Sequence, residues 1–350
     1  MSAPISKEAI VRILNILIHK ITVENSSVAF FKIRQLTSTI KILGLYPGDT
    51  IVSPEDIKSH FLDNGHKNPT KLLKIIKEYA ETGNNKEAVS ALADPRIQSV
   101  LNLIKIYAIG PSKAKVLYST YNIKTIHDLR AAINTQPGII NKKQTIGVNY
   151  YEELLERIPR HEIDVYNEVL LEICHKISPE LKMSINGSYR RGQSTSGDID
   201  ILITSKHNTA ELRALFIKEL KRAGIIVEVL ASGKKKFMGI TKLTARGFTT
   251  ARHMDIIHTT FEEYPFGVLY FTGSGGFNSH MRGIAIKQGY SMNEYRITDR
   301  LTQQPISSEI INAKIGKSKF ETEQDIFTFL DITYVIPSER INLTLSKVIK

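Results

Sequence analysis

The stretch from Gly187 to Asp200 constrains this chain more than any other: it reads Gly-Ser-Tyr-Arg-Arg-Gly-Gln-Ser-Thr-Ser-Gly-Asp-Ile-Asp and leads directly into an apolar segment. A β-branched run that is entered from a Gly/Ser turn predicts a β-strand. Alternate residues of a strand share a face, so we expect Asp198 and Asp200 to project together and Ile199 to point into the core. Two adjacent carboxylates repel each other, and oxygen ligands of this kind suit Mg²⁺ bound together with substrate phosphates.

The first half of the same stretch predicts a phosphate site. Gly187 and Ser188 form a tight turn whose backbone N–H groups can face an anion, and Arg190 and Arg191 add positive charge. The alternative is a surface Asp-x-Asp on an edge strand beside a solvated arginine pair. The Gly-Ser at this spacing before the carboxylates favours the catalytic interpretation.

Length and charge narrow the class of protein. The 350 residues can form two or three domains with a sizeable core. A net charge of +12 predicts attraction to a polyanion, either nucleic acid or an anionic membrane. No apolar run approaches the ~18 residues of a membrane span, and the first residues lack a signal-peptide pattern. We therefore expect a soluble, intracellular protein without a membrane partner, in which the single cysteine, Cys174, is a core residue.

Helical periodicity dominates residues 6–90. It predicts a helix over 28–43, a short one from Pro54, and one over 70–81 that ends at Gly83. In the last of these, one face is apolar and the other carries lysines. The lysines form either a solvated face or a phosphate-contacting one; they are Lys71, Lys74 and Lys77.

A second set of helices precedes the key stretch. A helix over 101–109 ends in a turn, Gly110-Pro111-Ser112-Lys113, which starts another helix. The free N–H groups at that start can hold a DNA phosphate without reading sequence, although such turns are common. Residues 147–180 are predicted to be helical, with an interruption at 157–160.

From Met183 the pattern changes to short strands, at 182–186, 198–204, 225–230, 236–243 and 252–258, with a helix at 209–223. Strands mixed with helices predict an α+β domain rather than a doubly wound one. Asp255 interrupts the apolar run of the fifth strand, and an unpaired buried carboxylate is costly. If this strand pairs beside 198–204, Asp255 completes a three-carboxylate site for two metals about 3.5–4 Å apart. The alternative is an aspartate on the solvent face of an edge strand.

Residues 267–282 place aromatic side chains before a Gly-rich turn and a helix that bears Asn278 and Arg282. Aromatic faces suit a sugar and a base, and Asn and Arg can contact base edges in the minor groove. By itself, the segment is equally typical of a turn beside a core aromatic pair.

Taken together, these segments closely resemble the family X DNA polymerases, and most closely their beta-type members. The resemblance rests on Gly-Ser-Tyr-Arg-Arg-Gly with Ser-Gly-Asp-Ile-Asp, Lys-Phe-Met-Gly at 236–239, Arg-His-Met-Asp-Ile at 252–256, and Tyr-Phe-Thr-Gly-Ser through Asn-Glu-Tyr at 270–295. It is strong from about residue 94 to 340 and weak before that.

The resemblance implies a multi-domain α and α+β chain. Residues 1–90 would be a helical lyase-like, 5′-phosphate-binding domain, and 91–159 a helix–hairpin–helix subdomain that binds duplex DNA. Residues 160–262 would form a nucleotidyltransferase-type palm with a mixed or antiparallel sheet. Residues 263–350 would form an α+β subdomain that selects the nucleotide at the nascent base pair.

The resemblance also implies roles for individual residues. Asp198, Asp200 and Asp255 would be catalytic and hold two Mg²⁺ ions, with Mn²⁺ able to substitute, and a monovalent cation would bind at the helix–hairpin–helix. The implied nucleotide-binding residues are Arg157, Ser188, Arg191, Gly197, Tyr270, Phe271, Gly273 and Asn278. The implied DNA-binding residues are Lys32, Lys71, Gly110, Ser112, Lys113, Lys236, Arg252, Arg282 and Tyr295.

The chain departs from the family pattern at several positions. His253 replaces an arginine beside the catalytic aspartate, so the charge there would depend on pH. Gly275 replaces an acidic residue, and Ala108 replaces the first glycine of the hairpin. The first predicted hairpin, at 63–69, lacks the Gly-x-Gly form.

In the N-terminal domain, Ile75 stands where the family has its Schiff-base lysine. Either Lys71 or Lys74 takes over the lyase chemistry, or the domain only binds the 5′-phosphate of a gap. We favour the second, because Ile75 belongs to the apolar stripe.

The implied function is template-directed DNA synthesis that fills short gaps in base excision repair. The expected partners are gapped or nicked DNA and dNTPs, with repair proteins in addition, for a monomer located in the nucleus or, if viral, the cytoplasm. Two alternatives stay open: a template-independent nucleotidyltransferase, and a non-catalytic scaffold that binds gapped DNA.

Overall fold

The computed structural model describes residues 5–24, 28–44, 46, 50–63 and 69–340. The chain divides into two compact units, Met1–Tyr151 and Glu152–Lys350. The elements of the first unit are β1 Ile5–Ser6, α1 Lys7–Glu24, α2 Ala29–Gly44, β2 Thr50–Ile51, α3 Pro54–Asp63, α4 Thr70–Thr82, α5 Lys86–Ala93, α6 Pro95–Leu103, α7 Pro111–Tyr121, α8 Ile126–Thr135 and α9 Lys142–Asn149. A short helix, α10 Tyr151–Leu155, follows at the division between the units.

Two separate hydrophobic cores hold the first unit together. One forms around α1, whose Ile10, Leu14 and Leu17 are fully buried at helical spacing. The other forms around α6 and α7, from residues between Val100 and Val148. The helices predicted over 28–43, from Pro54 and over 70–81 are confirmed to within a residue or two, and α4 ends at Gly83 in the left-handed conformation. The helix predicted over 101–109 is wrong, because α6 ends at Leu103 and residues 104–108 form turns. Most of the hairpin predicted at 63–69 lies outside the described residues.

The turn between α6 and α7 places Gly110 at the N-cap of α7, as the Gly-Pro-Ser sequence indicated. Ala108, just before it, has φ +63°. This left-handed backbone costs an L-residue about 1–2 kcal/mol, so glycine would adopt it at this position with less strain.

In the second unit, a mixed sheet precedes a smaller α+β part. The elements are β3 Ile158–Pro159, α11 Arg160–Ile177, β4 Lys182–Ile185, α12 Gly187–Arg190, β5 Thr195–Ser196, β6 Ile199–Thr204, α13 Thr209–Arg222, β7 Ile226–Ser232, β8 Lys236–Leu243, β9 Phe248–His258, α14 Tyr264–Thr272, α15 Gly275–Lys287, β10 Tyr290–Met292, β11 Ile297–Asp299, α16 Ser308–Ile315 and α17 Glu323–Phe329.

The main sheet has the strand order β4-β6-β9-β8-β7, in which only β6 and β9 are parallel neighbours. Helices α11 and α13 cover one face of it and bury residues such as Tyr166, Leu170 and Phe216 against the strands. This mixed sheet confirms the predicted α+β class and contradicts a doubly wound arrangement.

An aromatic core organises the last part of the chain. Phe277, Phe327 and Phe329 are at most 1% exposed, and the guanidinium of the fully buried Arg340 lies over two of these rings. Glu323 accepts from Arg340 Nη1 at 3.0 Å and neutralises its charge. None of the helices described here is long and apolar enough to cross a membrane.

Candidate active site

The parallel pairing of β6 and β9 sets Asp200 directly beside Asp255. The neighbouring pair, Ile199 and Met254, is fully buried and fixes this register, because a shift of either strand by one residue would turn its own apolar side chain outward. Asp198 lies immediately before β6. The predicted strand pairing, which was the condition for a three-carboxylate site, is therefore confirmed.

The carboxylates of the three aspartates are not arranged as a complete metal-binding site. Among the described residues, no group of three or more Asp, Glu, His or Cys side chains is arranged to hold an ion. Asp255 Oδ2 instead pairs with Lys236 Nζ at 2.6 Å. The donor chemistry nevertheless fits Mg²⁺, which prefers carboxylate oxygens from one or two residues and completes its shell with water and substrate phosphates. Lys236, predicted to contact DNA, thus neutralises the Asp255 carboxylate here.

Burial and mutual repulsion make these carboxyls hard to ionise. Burial raises the pKa of Asp200 to about 7, and the negative charges of Asp198 and Asp255 act in the same direction. The pKa of Asp198 is also raised. The first cause is desolvation of its carboxyl group, although the residue as a whole is exposed, and the second is the negative charge of Asp255. Burial lowers the pKa of His253 against the opposing effect of Asp255 and Asp198. The imidazole is therefore uncharged at neutral pH, unlike the arginine it replaces.

Gly187 allows the phosphate-side turn to approach the carboxylates. Its φ is +58°, and a Cβ at this position would lie 2.7 Å from Asp200 Oδ2. The buried Asn186 anchors the turn, since its N–H donates to the Asp200 carbonyl at 2.8 Å. The predicted tight turn at Gly187–Ser188 is thus the start of one helical turn, α12, packed directly against β6.

A cleft of about 460 Å³ lies next to this turn. All eight residues predicted to bind nucleotide line it, together with Asp198 and Asp200. Gln193 and Ser274 also line the cleft. The sequence analysis did not identify these two, since a lone polar residue in a Gly/Ser-rich loop carries no pattern of its own.

Only one of the two adjacent arginines faces the cleft. Arg191 Nη1 donates to the Thr272 carbonyl at 2.5 Å, and its Nε has no partner among the described residues. Arg190 turns away and pairs with the buried Glu323 at 2.7 Å. The prediction that both arginines supply phosphate-binding charge is therefore wrong for Arg190. Arg157 reaches the cleft from another direction, held by Thr195 through bonds of 3.1 and 2.8 Å.

The aromatic wall consists of Tyr270 and Phe271 at the end of α14, whose rings meet edge to face at 5.1 Å. Asn278 Nδ2 donates to the Tyr270 carbonyl at 2.7 Å and fixes this helix end to α15. The Arg282 guanidinium lies 5.2 Å from the centre of the Tyr270 ring and 3.8 Å from a Glu294 oxygen. The aromatic pair is thus on the surface of the cleft rather than in the core.

One predicted DNA contact is contradicted by the structure. Arg252 is 5% exposed, and its guanidinium forms two bonds with the buried Glu162 carboxylate, at 2.9 and 2.8 Å. A buried ion pair of this kind belongs to the packing of α11 on the sheet. Tyr295 was also predicted to contact DNA. In the structure Lys235 lies over its ring, with Nζ 4.2 Å from the ring centre.

The other DNA contacts predicted for the first unit lie at or near its surface. Lys32, Lys71, Gly110 and Ser112 are exposed, and Lys113 Nζ donates to the Ile139 carbonyl. A cavity of about 1060 Å³ is lined by Lys71, Lys74 and the face of α4 around them. Ile75 also borders it but is 4% exposed and packs in the core.

Three domain models match consecutive parts of the chain. They are the fingers domain of DNA polymerase lambda at residues 102–155, the DNA polymerase beta palm at 157–260 and the DNA polymerase beta thumb at 267–341. The palm match contains all three aspartates.

Similar whole proteins include two named DNA polymerase lambda. The one from Rattus norvegicus is 28% identical over 245 residues, 67% of this chain and 41% of the relative. The one from Arabidopsis thaliana is 26% identical over 278 residues, 76% of this chain and 50% of the relative. A DNA nucleotidylexotransferase from Xenopus laevis is 23% identical over 303 residues, 76% of this chain and 56% of the relative.

The chain thus spans about half the length of each of these relatives. Because fingers, palm and thumb models match in sequence order on a fold with the expected mixed sheet, the chain belongs to the family X DNA polymerases.

Proposed function

We propose that this chain is a template-directed DNA polymerase that fills short gaps during base excision repair. It would transfer a nucleotidyl group from a dNTP to a primer 3′-OH and release pyrophosphate. The observation that carries the proposal is the β6–β9 register, which sets Asp200 beside Asp255 at the edge of a cleft lined by Arg157, Ser188 and Arg191.

Each side of the cleft has a role in this reaction. Two Mg²⁺ ions held by the three aspartates would supply the positive charge that in-line attack on the α-phosphate requires. Arg191 and Arg157, with the N–H groups at the start of α12, would bind the triphosphate. Tyr270 and Phe271 would pack beside the sugar, and Asn278 would contact the base from the minor-groove side.

Lys236 would have its role before the chemical step, as the counter-ion of Asp255. In the structure its ammonium neutralises Asp255, so it must release this carboxylate when the ions bind. Asp255 would then lie nearest the primer 3′-OH, where its carboxylate would accept the proton of the attacking hydroxyl. The remaining catalysis is positioning and charge neutralisation rather than covalent chemistry.

Template dependence separates the main proposal from a second candidate. One similar protein is named DNA nucleotidylexotransferase, so untemplated addition is the competing activity. We expect rapid extension of a primer that borders a one-nucleotide gap, with the complementary dNTP preferred, and little extension of the single-stranded primer. Primer extension with each dNTP in turn, on both substrates, measures this. Equal extension of the two substrates, without base preference, would favour the second candidate.

For the first unit we propose binding of the 5′-phosphate of a gap without lyase chemistry. The side chain that borders the α4 cavity at the expected lysine position is the buried Ile75. We therefore expect no covalent adduct when the protein is treated with borohydride on a 5′-deoxyribose-phosphate end. An adduct lost in Lys74→Ala, or in Lys71→Ala, would instead assign lyase chemistry to that lysine. Ile75→Lys is the matched gain-of-function control.

A further inference from the structure

A second group of polar side chains lies at the opposite end of the catalytic strands, where β6 and β9 finish. Ile203 is opposite His258 in the register, and Thr259 N–H donates to the Ile203 carbonyl at 3.1 Å. Ser205 follows β6, and the Thr209 hydroxyl at the start of α13 bonds both its N–H and its carbonyl. Ligands of open α/β sheets commonly bind outside the carboxyl ends of parallel strands, where helix N-termini favour anions.

Arg213 lies one turn into α13, which contacts β6, β7 and β9. The residue is 8% exposed. Its Nη2 donates to the Gly233 carbonyl at 2.8 Å, whereas Nε and Nη1 have no hydrogen-bond partner among the described residues. Burial lowers the pKa of this guanidinium, and no carboxylate opposes the effect. A buried cation without a counter-charge is destabilising, so the position suits an anion.

Two other side chains on the α13 side of the sheet also lack partners. They are the buried Ser205 Oγ and His258 Nδ1. Thr209, which bonds the Ser205 backbone, lies one turn before Arg213 on the same helix face. The charge of Arg213 lowers the pKa of His258 in addition to burial, which shows that the two groups are close.

Side chains alternate between the two faces along a strand. His258 and Ser205 are each two residues beyond a residue that packs under α13, Ile256 and Ile203, so both lie on the face that α13 covers. We call Arg213, Ser205 and His258 the Arg213 cluster.

The surroundings of the Arg213 cluster are positive. Lys206, His207 and Lys234 are exposed close to it in the chain, and the nearby Lys235 pairs with Glu263 at 3.0 Å. A purely structural role, in which Arg213 fastens the β7–β8 turn through Gly233, uses one guanidinium nitrogen and leaves the charge uncompensated. Water would satisfy the free N–H groups but not the charge.

We propose that the Arg213 cluster is a binding site for a tetrahedral oxyanion of the phosphate class. The guanidinium would supply two N–H donors and the counter-charge, and the hydroxyl of Ser205 would add a neutral donor. The oxyanion is either free inorganic phosphate or a phosphodiester of bound DNA, since both present the same oxygens. The site is separate from the nucleotide cleft and does not depend on the function proposed for that cleft.

The test needs a local signal, because phosphate also suits the cleft around Arg191. We would follow the ring signals of His258 by NMR, assigned with His258→Gln, while inorganic phosphate replaces chloride at constant ionic strength. We expect a saturable shift in the wild-type protein that is lost in Arg213→Met. The matched control is Arg222→Met, on the same helix at an exposed position, which should keep the full shift. Arg213→Lys preserves the charge if the methionine variant does not fold, and it should weaken binding without abolishing the shift.

A gapped duplex in place of phosphate distinguishes the two sources. If the occupant is a DNA phosphodiester, the duplex shifts the His258 signals at far lower concentration than inorganic phosphate does, and Arg213→Met lowers the salt dependence of DNA affinity by about one ion. If neither ligand moves the His258 signals, or if Arg213→Met responds as the wild type does, the proposal is overturned.

Discussion

Asp255→Asn is expected to abolish gap filling while gapped DNA still binds. The amide keeps the size of the side chain but cannot carry the negative charge that opposes a metal ion, and it leaves Lys236 without its partner. Loss of several kcal/mol of transition-state stabilisation corresponds to a fall in kcat of at least about 10³-fold. DNA affinity depends mainly on phosphate contacts elsewhere and should stay within a few-fold. Single-turnover extension and a binding titration on the same gapped duplex measure the two quantities.

The matched control for this variant is Asp331→Asn. Asp331 is exposed outside the cleft and has φ +52°, a conformation that asparagine tolerates well. It should leave both synthesis and binding unchanged. Synthesis retained in Asp255→Asn would contradict the polymerase proposal and support a scaffold that only binds gapped DNA.

The fold was predictable where local pattern and tertiary packing agree. The alternation through Ile199, Asp200 and Ile201 fixes which side chains are buried, and the parallel neighbour β9 repeats this pattern around Asp255. Helix ends at Gly83 and at Gly110 were predictable because capping is a local property. The pairing of β6 with β9 could be stated only as a condition for the three-carboxylate site, because residues about fifty positions apart in the chain leave no pattern in the local sequence that shows their contact.

The residues that line the cleft were predictable from the sequence, but the hydrogen-bond and ion-pair partners of their side chains were not. Arg190 and Arg191 are equivalent in sequence, yet α12 turns one toward Glu323 and the other toward the cleft. The family resemblance around Asp255 implies that Arg252 contacts DNA, yet Glu162 on α11 buries its guanidinium. Such outcomes depend on which acidic residue the tertiary fold brings near. The Lys236–Asp255 pair is a further example of a contact that only the structure reveals.

The charge of the carboxylate cluster leads to a second large effect, on stability. In the unfolded chain an aspartate has a pKa near 3.9, whereas burial and its acidic neighbours raise the pKa of Asp200 in the folded protein to about 7. The folded state therefore binds more protons than the unfolded state between these values. Without metal, the contribution of Asp200 to stability falls as the pH rises from about 4 to 7, and the full cost persists above pH 7.

Asp200→Asn should therefore make the metal-free protein more stable at pH 8 while abolishing synthesis. The amide removes a buried charge that Asp198 and Asp255 repel, and we expect a gain on the order of 1–3 kcal/mol, less than the full pKa difference because the three carboxyls share their protons. For a unit of this size the melting temperature should rise by roughly 3–8 °C. The gain should nearly disappear near pH 4, where Asp200 is protonated in the folded state and about half protonated in the unfolded state. Mg²⁺ with a non-hydrolysable dNTP should stabilise the wild type more than the variant, because the bound ions need the charge that the variant lacks. Thermal melts at pH 4 and 8, with Asp331→Asn as the control, measure these differences.

A variant that is no more stable than the wild type at pH 8 would contradict this prediction. It would show that Lys236 and Arg191 already neutralise the three carboxylates, and that metal binding does not have to overcome repulsion between them.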